Sequence, residues 1–428
     1  MDGTADDARL PISSDSLATG QRSLKDPSIE YPLFPPQTAG CPETSTDAVQ
    51  FPVEVTYDYD AVPADLFEQG PGHGIERWQP LLPPLADGTG LGEGNTPLLR
   101  SPALADWAGV DDETEVYVKD ESRNPTWSQK DRLARLTVSA AVGVDSPGIV
   151  VSSSGNHGAA TAAYGARAGL PVVVLTSPET PAEVQQYLAA YDAAVVQVPD
   201  WHARQKAVAR LADTADYHPV SSRTAVPTGH PFGPEGYKTI AYELFGQLDG
   251  RVPGTIFVPT AHAEVLYGVW KGFRELETLG VTTDTPRMIA CEPAARAPHV
   301  AAINSDDLLP SVEPGDTDAH SIQATQATFH GVTAIEESGG DAIGVSDEAI
   351  SAAQDRLAAA GLWQEFSGSA GVAGLRAAIE SDWTVEGPVV CLATSSGFKD
   401  GAGFEAPLAD SSWESIRTTI QSEYGVLE

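Results

Sequence analysis

The chain is poor in the features that support several common protein classes. It has three cysteines, Cys41, Cys291 and Cys391, and no C-x-x-C pair, so neither a disulfide framework nor a structural zinc site is expected. No apolar run approaches the ~20 residues of a membrane span. The first residues, MDGTADDARL, lack the basic and apolar segments of a secretory signal. We therefore predict a cytoplasmic protein with no membrane partner and no metal.

Basic residues are also scarce. The 428 residues include 25 lysines and arginines against 60 aspartates and glutamates, for a formal net charge of −35. Such a charge repels nucleic acid and anionic lipid, so neither is an expected partner. The acidic residues are scattered along the chain, which is typical of adaptation to high salt, and comparing stability in dilute buffer and in molar salt tests this hypothesis. The seven lysines are at positions 25, 119, 130, 206, 238, 271 and 399.

Length and pattern indicate two domains and an extension. Residues 1–65 are rich in Pro, Asp, Ser and Thr and show no helical periodicity. They predict an irregular N-terminal arm that is partly disordered. From residue 91 onward, β-branched runs such as PVVVLT and VVCLAT alternate with helical patterns. This alternation predicts an α/β protein with parallel sheets, whose ligands bind at the carboxyl ends of the strands.

One of the lysines follows a turn in SRNPTWSQKDR, residues 122–132. Ser128 and Asp131 have the spacing of a capping box, which places Lys130 in the first turn of a helix. The helix dipole and burial both lower the pKa of a lysine there, and a lowered pKa suits Schiff-base chemistry. On this stretch alone, an ordinary capped helix with a solvated lysine is the better interpretation.

The stretch VSSSGNHGAA, residues 151–160, follows a predicted strand and opens a predicted helix. Gly155 allows the backbone to approach a ligand closely, and the helix N-terminus offers free N–H groups to a carboxylate. The amide of Asn156 can donate to a ring oxygen. A turn rich in helix-capping residues is the alternative.

In CLATSSGFKD, residues 391–400, a buried strand ends at Thr394. The hydroxyl of Thr394 can face a cleft at the carboxyl end of the sheet. A hydrophilic strand end is the better interpretation of this stretch alone.

Together with LGEGNTPLL, residues 91–99, these stretches resemble the fold-type-II pyridoxal-phosphate (PLP) enzymes, the tryptophan synthase β-like family, and especially its threonine-synthase-like branch. The resemblance covers roughly residues 90–400 and rests on NPT-x-S-x-KDR, SSGN-x-G and T-x-x-G-x-KD in this order. It implies two parallel-sheet, three-layer α/β domains with the cofactor in the cleft between them. We expect a large domain of residues 66–135 and 225–428, with a small domain of residues 136–224 inserted in it.

The resemblance implies PLP as the cofactor and a role for each matching residue. Lys130 matches the lysine that forms a Schiff base with PLP. Asn156 matches the asparagine that hydrogen-bonds the ring hydroxyl, and Thr394 matches the hydroxyl residue that faces the pyridine nitrogen. A hydroxyl does not hold that nitrogen protonated as a carboxylate would, which suits eliminations. The loop that takes the substrate carboxylate is matched by Ser153, Ser154 and Gly155, with His157 close behind.

The turn that binds the cofactor phosphate departs from the family pattern. In VPTAHAEVLYG, residues 258–268, the usual glycines are replaced by Thr260, Ala261, His262 and Ala263. Backbone N–H groups bind phosphate without glycine if no residue of the turn needs a positive φ. We expect this turn to bind the phosphate, with His262 as an additional donor. Loss of cofactor binding is the alternative.

The substrate-binding residues also depart from threonine synthase. His230 and Gly233 stand where threonine synthases carry an asparagine and an arginine for the substrate phosphate. A strong bidentate phosphate contact is therefore missing. At the position of His157, dehydratases tend to have histidine and threonine synthases tend to have threonine, so this residue resembles the dehydratase pattern. These departures favour an unphosphorylated amino acid as the substrate.

Five further residues give weaker signals. Trp127 and Gln129 replace a small residue and an aromatic residue that often flank the lysine, and Trp127 either walls the pocket or packs in the core. Glu365 lines the site or belongs to a polar turn. Lys238 and Glu243 are expected on a solvated helix face.

The predicted function is that of a PLP-dependent lyase of dehydratase or ammonia-lyase type. Lys130 removes the α-proton of an amino acid as general base, and a β- or γ-leaving group departs. Threonine synthase acting on O-phosphohomoserine is the second hypothesis, and a non-catalytic relative with the same fold is the third. The resemblance also implies a homodimer.

Overall fold

A computed structural model describes residues 10–46, 49–68, 74–224, 226–399 and 406–425. Parts of the predicted arm and of both predicted segments of the large domain lie outside the described residues, namely 1–9, 47–48, 69–73, 225, 400–405 and 426–428.

The described residues form strands and α-helices that alternate along most of the chain. The strands are β1 (Ala18–Ser23), β2 (Glu30–Tyr31), β3 (Val53–Tyr57), β4 (Leu98–Arg100), β5 (Val116–Asp120), β6 (Ile149–Ser152), β7 (Val172–Thr176), β8 (Ala194–Gln197), β9 (His218–Pro219), β10 (Thr255–Pro259), β11 (Arg287–Pro293), β12 (Asp341–Val345) and β13 (Val389–Ala393). The α-helices are α1 (Pro102–Ala108), α2 (Lys130–Gly143), α3 (Asn156–Ala168), α4 (Ala182–Ala190), α5 (Trp201–Ala215), α6 (Gly233–Tyr237), α7 (Thr239–Gln247), α8 (Glu264–Thr278), α9 (Pro298–Ile303), α10 (Phe329–Glu337), α11 (Asp347–Ala359), α12 (Ala370–Glu380) and α13 (Trp413–Tyr424).

Two of the three sheets are built from parallel strands. The larger has the order β12-β11-β10-β13-β5-β4, in which only the edge strand β4 is antiparallel. The smaller has the order β8-β7-β6-β9 and is parallel throughout. Strands β10 and β13 are buried along their whole length, as expected where helices cover both faces of a parallel sheet. The predicted α/β class is confirmed.

The N-terminal region differs from its prediction. Strands β1, β2 and β3 form an antiparallel sheet, in which Gln21 pairs with Tyr31 on one side and with Val55 on the other. A prediction of irregular structure misses these strands because β1, ATGQRS, has no apolar alternation. Its buried residues instead lie between β2 and β3, and β3 contributes Val55 and Tyr57 to the main core.

Several helix ends follow the local sequence. Asp200, Thr328 and Ser346 each accept a hydrogen bond from a backbone N–H group in the first turn of α5, α10 and α11, which satisfies amides that have no partner within the helix. Helix α3 ends at Gly169, which has the left-handed φ of 71° that glycine adopts without strain.

Lys238 and Glu243 are not on a solvated face. Lys238 is fully buried and contacts Glu235 and Glu275 at 2.7 and 2.8 Å. Glu243 is 7% exposed and contacts Lys119 and Arg132. The prediction was wrong because Glu275, Lys119 and Arg132 come from distant parts of the chain and meet these residues only in the folded protein.

Membrane-spanning helices and metal-binding clusters are both absent from the described residues. None of their helices combines the length and the apolar character that a membrane crossing requires. They also contain no group of three or more His, Cys, Asp or Glu residues arranged to hold a metal ion.

Candidate active site

A cavity of about 910 Å³ lies where loops leave the carboxyl ends of strands from both parallel sheets. The loop after β6 leads into α3, the loop after β10 leads into α8, and Thr394 directly follows β13. Ten of the residues predicted to form the site line this cavity, namely Lys130, Ser153, Ser154, Gly155, Asn156, His157, Ala261, His262, Ala263 and Thr394. Thr260 is not among the lining residues. Its N–H group and hydroxyl donate to the carbonyls of Cys291 and Val258.

Lys130 is the first residue of α2, and its side chain opens on the cavity with 23% of its surface exposed. Its Nζ atom lies 4.0 Å from Oε2 of Glu264 and 5.6 Å from the centre of the Tyr237 ring. Burial lowers the pKa of Lys130, and the Glu264 carboxylate partly opposes this shift. The lysine therefore combines partial desolvation with access to the cavity, as an amine nucleophile or base requires.

The turn before Lys130 is not the predicted capping box. Gln129 occupies the N-cap position without a side-chain hydrogen bond, and the buried Ser128 hydroxyl has no partner. Asp131 instead accepts from the N–H group and the hydroxyl of Thr126, at 2.9 and 2.8 Å. Burial raises the Asp131 pKa to about 6. A bond from the Gln129 N–H group to the Thr394 carbonyl, 3.0 Å long, joins the lysine turn to the end of β13.

Trp127 neither walls the cavity nor packs in the core. Its side chain is 52% exposed, and its φ of 63° is in the left-handed region that favours glycine. Its carbonyl accepts hydrogen bonds from the Ser395 hydroxyl and the Ser396 N–H group.

The side-chain amide of Asn156 is held from both ends. Its Nδ2 atom donates to Glu365 at 2.8 Å, and its Oδ1 atom accepts from Lys399 Nζ at 2.6 Å and from Ser395 Oγ at 3.2 Å. These contacts fix the orientation of the amide and leave its second N–H free to donate. Glu365 lines the cavity, in agreement with one of its two interpretations. The role of Lys399 was missed, although it lies in the T-x-x-G-x-KD motif.

The serine-rich loop between β6 and α3 presents backbone and hydroxyl groups to the cavity. Ser153 Oγ accepts from the N–H groups of Gly155 and Gly158, and Ser154 Oγ accepts from that of Ser177. A Cβ atom on Gly155 would meet no atom within 4 Å, so the glycine faces open space. Burial lowers the His157 pKa to about 3, and its Nε2 atom is buried without a hydrogen-bond partner.

The turn after β10 does contain a residue with positive φ. Ala263, at the N-cap of α8, has a φ of 59°, so the condition under which glycine is dispensable in this turn is not met. The left-handed conformation costs a non-glycine residue roughly 1–2 kcal/mol. His262 Nδ1 is buried without a hydrogen-bond partner, and burial lowers the His262 pKa to about 4. Helix α8 then begins at Glu264, whose contact with Lys130 has no signal in the sequence.

His230 does not line the cavity. It is 1% exposed, and its Nε2 atom lies 2.9 Å from Nε2 of His218. Gly233 lies beneath Glu264, since a Cβ atom there would be 3.5 Å from Glu264 Oε1.

A family profile described as "Pyridoxal-phosphate dependent enzyme" matches residues 89–395. The chain belongs to the pyridoxal-phosphate-dependent enzyme family. It is 32% identical to the threonine synthase of Methanosarcina acetivorans, over 86% of this chain and 92% of the relative. It is 36% identical to that of Halalkalibacterium halodurans, over 72% of this chain and 84% of the relative.

Solved structures agree on the fold of this PLP-dependent enzyme. Threonine deaminase isoform 2 of Solanum lycopersicum has a TM-score of 0.60 at 19% identity, covering 76% of this chain and 82% of its own. The fungal L-serine ammonia-lyase of Rhizomucor miehei has a TM-score of 0.60 at 22% identity. The match covers 70% of this chain and 90% of the ammonia-lyase chain. The predictions of fold type, cofactor and enzyme class are confirmed. The enzyme is a PLP-dependent lyase of the threonine-synthase type.

The residues present fit this cofactor. Lys130 Nζ is accessible for a covalent link to an aldehyde. The Asn156 amide uses one N–H group to bond Glu365, and its second N–H group can donate to the cofactor. The unpaired Nδ1 of His262 lies beside the N-terminus of α8, where free N–H groups favour a phosphate. Glu264 does not fit a phosphate site, because it places a second anionic group, its carboxylate, next to the same turn.

Proposed function

We propose that this enzyme removes the α-proton of an unphosphorylated amino acid and expels a β- or γ-leaving group, as a dehydratase or ammonia-lyase does. The observation that carries the proposal is the position of Lys130, whose amine opens on the cavity that also contains Asn156 and Thr394. The absence of an arginine at Gly233 supports a substrate without phosphate.

Each site residue has a proposed role. Lys130 is the covalent anchor of the cofactor and the general base. Its lowered pKa increases the fraction of neutral amine that is available to accept a proton. Asn156 hydrogen-bonds the cofactor ring hydroxyl, and Thr394 faces the ring nitrogen. Cofactor phosphate contacts are assigned to Thr260, Ala261, His262 and Ala263, and substrate contacts to Ser153, Ser154, Gly155 and His157. The position of Thr260 outside the cavity lining limits its contribution to backbone support of the turn.

Bound PLP supplies an electron sink for the α-carbanion. The protein supplies the rest of the reaction. The loop of Ser153 to Gly155 holds the substrate carboxylate, and Lys130 takes the α-proton. Glu365 and Lys399 fix the orientation of the Asn156 side-chain amide, which hydrogen-bonds the cofactor ring. After elimination, hydrolysis of the product gives a keto acid and ammonia.

Threonine synthase is the second candidate, because the curated relatives described above carry that name. Its substrate would be O-phosphohomoserine. Release of inorganic phosphate from this compound, without keto acid from unphosphorylated amino acids, would favour it over the first candidate.

The first test combines spectroscopy with mass mapping. The protein is purified in high salt, mixed with PLP and reduced with borohydride. We expect a visible absorption band before reduction and a reduced adduct on Lys130 after it. The variant Lys130→Ala should lose both, together with at least about 10²–10⁴-fold in turnover, the usual contribution of a general base. Turnover at the wild-type rate in this variant would refute the proposal. Lys206→Ala, at an exposed position of α5, is the matched control.

We further propose that the two parallel sheets are the centres of a large domain, residues 66–135 and 225–428, and an inserted small domain, residues 136–224. The continuous run of β6 to β9 in the smaller sheet supports this division. A homodimer, which light scattering would detect, and a cytoplasmic location remain predictions.

A further inference from the structure

Glu264 lies between the catalytic lysine and the turn that precedes α8. It is the first residue of α8, it lines the cavity, and its side chain is 15% exposed. Its Oε2 atom is 4.0 Å from Lys130 Nζ. This distance allows electrostatic coupling and transfer of a proton through a small movement or one water molecule, but it is longer than a direct hydrogen bond.

The surrounding backbone is shaped to hold this carboxylate. The His230 N–H group donates to it. Gly229 has a φ of 68°, and a Cβ atom at that position would overlap Glu264 Oε1. A Cβ atom on Gly233 would make an ordinary van der Waals contact with the same oxygen, at 3.5 Å. The carboxylate therefore occupies a defined place rather than one of several surface rotamers.

Among the described residues, titratable groups approach the Glu264–Lys130 pair from several elements. Lys130 approaches from α2, Tyr237 from α6, His157 from α3, and His262 from the turn before α8. Burial lowers the pKa of both histidines far below neutral, so they are uncharged at pH 7. Burial raises the pKa of Glu264, and Lys130 opposes this shift. Burial therefore shifts the pKa values of Lys130 and Glu264 toward each other, which favours exchange of a proton within this pair.

We propose that Glu264 is a second proton-transfer residue, which protonates a hydroxyl leaving group, and that the substrates are therefore β-hydroxy-α-amino acids. This inference rests on the proposed elimination reaction and names its substrate class. A hydroxide is a poor leaving group and needs a proton as the bond to carbon breaks. A phosphate ester needs no such acid, because phosphate departs as a stable anion.

The proton balance of the step is complete. Lys130 takes the α-proton, and the electrons of the Cα–H bond form a Cα=Cβ double bond. The Cβ–O bond breaks, and the departing oxygen takes the proton of Glu264, so that water leaves. The Lys130 ammonium then returns one proton to the Glu264 carboxylate, and both groups recover their starting states.

The test compares leaving groups in the variant Glu264→Gln, which keeps the shape of the side chain and removes its acidity. Keto-acid release is measured with L-serine, L-threonine and β-chloro-L-alanine, whose chloride departs without a proton. We expect turnover of L-serine and L-threonine to fall about 10²-fold in Glu264→Gln. Turnover of β-chloro-L-alanine should change less than about threefold. The control is Glu277→Gln, an exposed position of the same helix, which should behave as wild type.

A second measurement uses the full chain before PLP is added. The rate at which an amine reagent modifies Lys130 is followed against pH by peptide mass mapping. Removing the nearby negative charge should lower the pKa of Lys130 further in Glu264→Gln and leave it unchanged in Glu277→Gln.

Equal losses for hydroxyl and chloride leaving groups, or an unchanged Lys130 pKa, would overturn the assignment of Glu264. Failure of the proposed function looks different. In that case the wild-type enzyme gives no keto acid from either kind of substrate, while it releases phosphate from O-phosphohomoserine.

Discussion

The pKa values of two lysines in this protein, Lys271 and Lys130, are shifted in opposite directions. Lys271, beneath the N-terminal sheet, lies 2.7 Å from Glu235 and donates to the Val55 carbonyl at 2.8 Å. Its pKa is raised, because nearby carboxylates outweigh desolvation. Lys130 has one carboxylate at 4.0 Å, and desolvation lowers its pKa. Burial alone therefore does not make a lysine reactive. Desolvation lowers the pKa of a lysine and nearby carboxylates raise it, and the balance of the two differs between Lys271 and Lys130.

The region beneath the N-terminal sheet contains a network of such close pairs within the main apolar core. Glu235 joins two ammonium groups, those of Lys238 and Lys271, and also accepts from the Tyr57 hydroxyl at 2.8 Å. Glu275 contacts Lys238 and accepts from Tyr59 at 2.9 Å and from Tyr242. These charges have no access to the cavity. Their role is to join the N-terminal sheet to α6, α7 and α8.

The largest effect that would test this contrast is expected in Glu235→Gln. The change leaves two buried ammonium groups short of a carboxylate, so we expect the free energy of unfolding to fall by about 3–5 kcal/mol. Denaturant unfolding in molar salt measures the loss, with Glu277→Gln as control. A loss below about 1 kcal/mol, the range of a surface pair, would mean that this network does not depend on its bridging carboxylate.

A smaller effect is expected from the pH dependence of stability in Lys130→Met. Because the folded-state pKa of Lys130 is lowered, the unfolded chain binds more protons between that pKa and the ordinary value of about 10.4. Wild-type stability should therefore gain from Lys130 as the pH rises through this window, by at most about 1.4 kcal/mol per pH unit.

In Lys130→Met this gain should disappear, whereas the exposed control Lys206→Met should keep it. The measurement is denaturant unfolding of the full chain without PLP at several pH values above 8. If wild type and Lys130→Met have parallel pH profiles, Lys130 has an ordinary pKa and its environment does not resemble that of a reactive base.

The same contrast explains which features could be predicted from sequence. The loops of Lys130, Asn156 and Thr394 follow predicted strands, and parallel strands bring their carboxyl ends to one edge, so their convergence was predictable. The pairing of Lys238 with Glu275, or of Glu243 with Lys119, was not. Each joins segments far apart in the chain, and nothing in the local pattern distinguishes a buried charge with a distant partner from a solvated one.

Within the site, the unpredicted features are those that depend on backbone conformation. Asp131 has the right spacing for a capping box, yet it bonds Thr126, because Gln129 already has helical dihedral angles and occupies the N-cap. Ala263 has a left-handed φ that its residue type does not indicate. Glu264 is visibly acidic in the sequence, but its position near Lys130 also requires the lack of a Cβ atom at Gly229, which would overlap its Oε1 atom.

The smallest expected effect concerns Ala263, the residue with a left-handed φ in the turn before α8. Ala263→Gly removes a buried methyl group, worth about 0.8 kcal/mol, but relieves roughly 1–2 kcal/mol of backbone strain. Ala241→Gly, inside α7 beside the ionic network, removes a similarly buried methyl and costs about a further 1 kcal/mol of helix propensity, without any relief.

We expect Ala263→Gly to be less destabilising than Ala241→Gly by about 2–3 kcal/mol, measured by denaturant unfolding of both variants under one set of conditions. Because both alanines are buried in the same core cluster, the lost packing largely cancels in the difference. Equal losses would mean that the turn relaxes around Ala263 and that its positive φ carries no cost. A difference of the expected size would mean that the protein holds the turn before α8 in a strained conformation, next to the cavity where Lys130 and Glu264 meet.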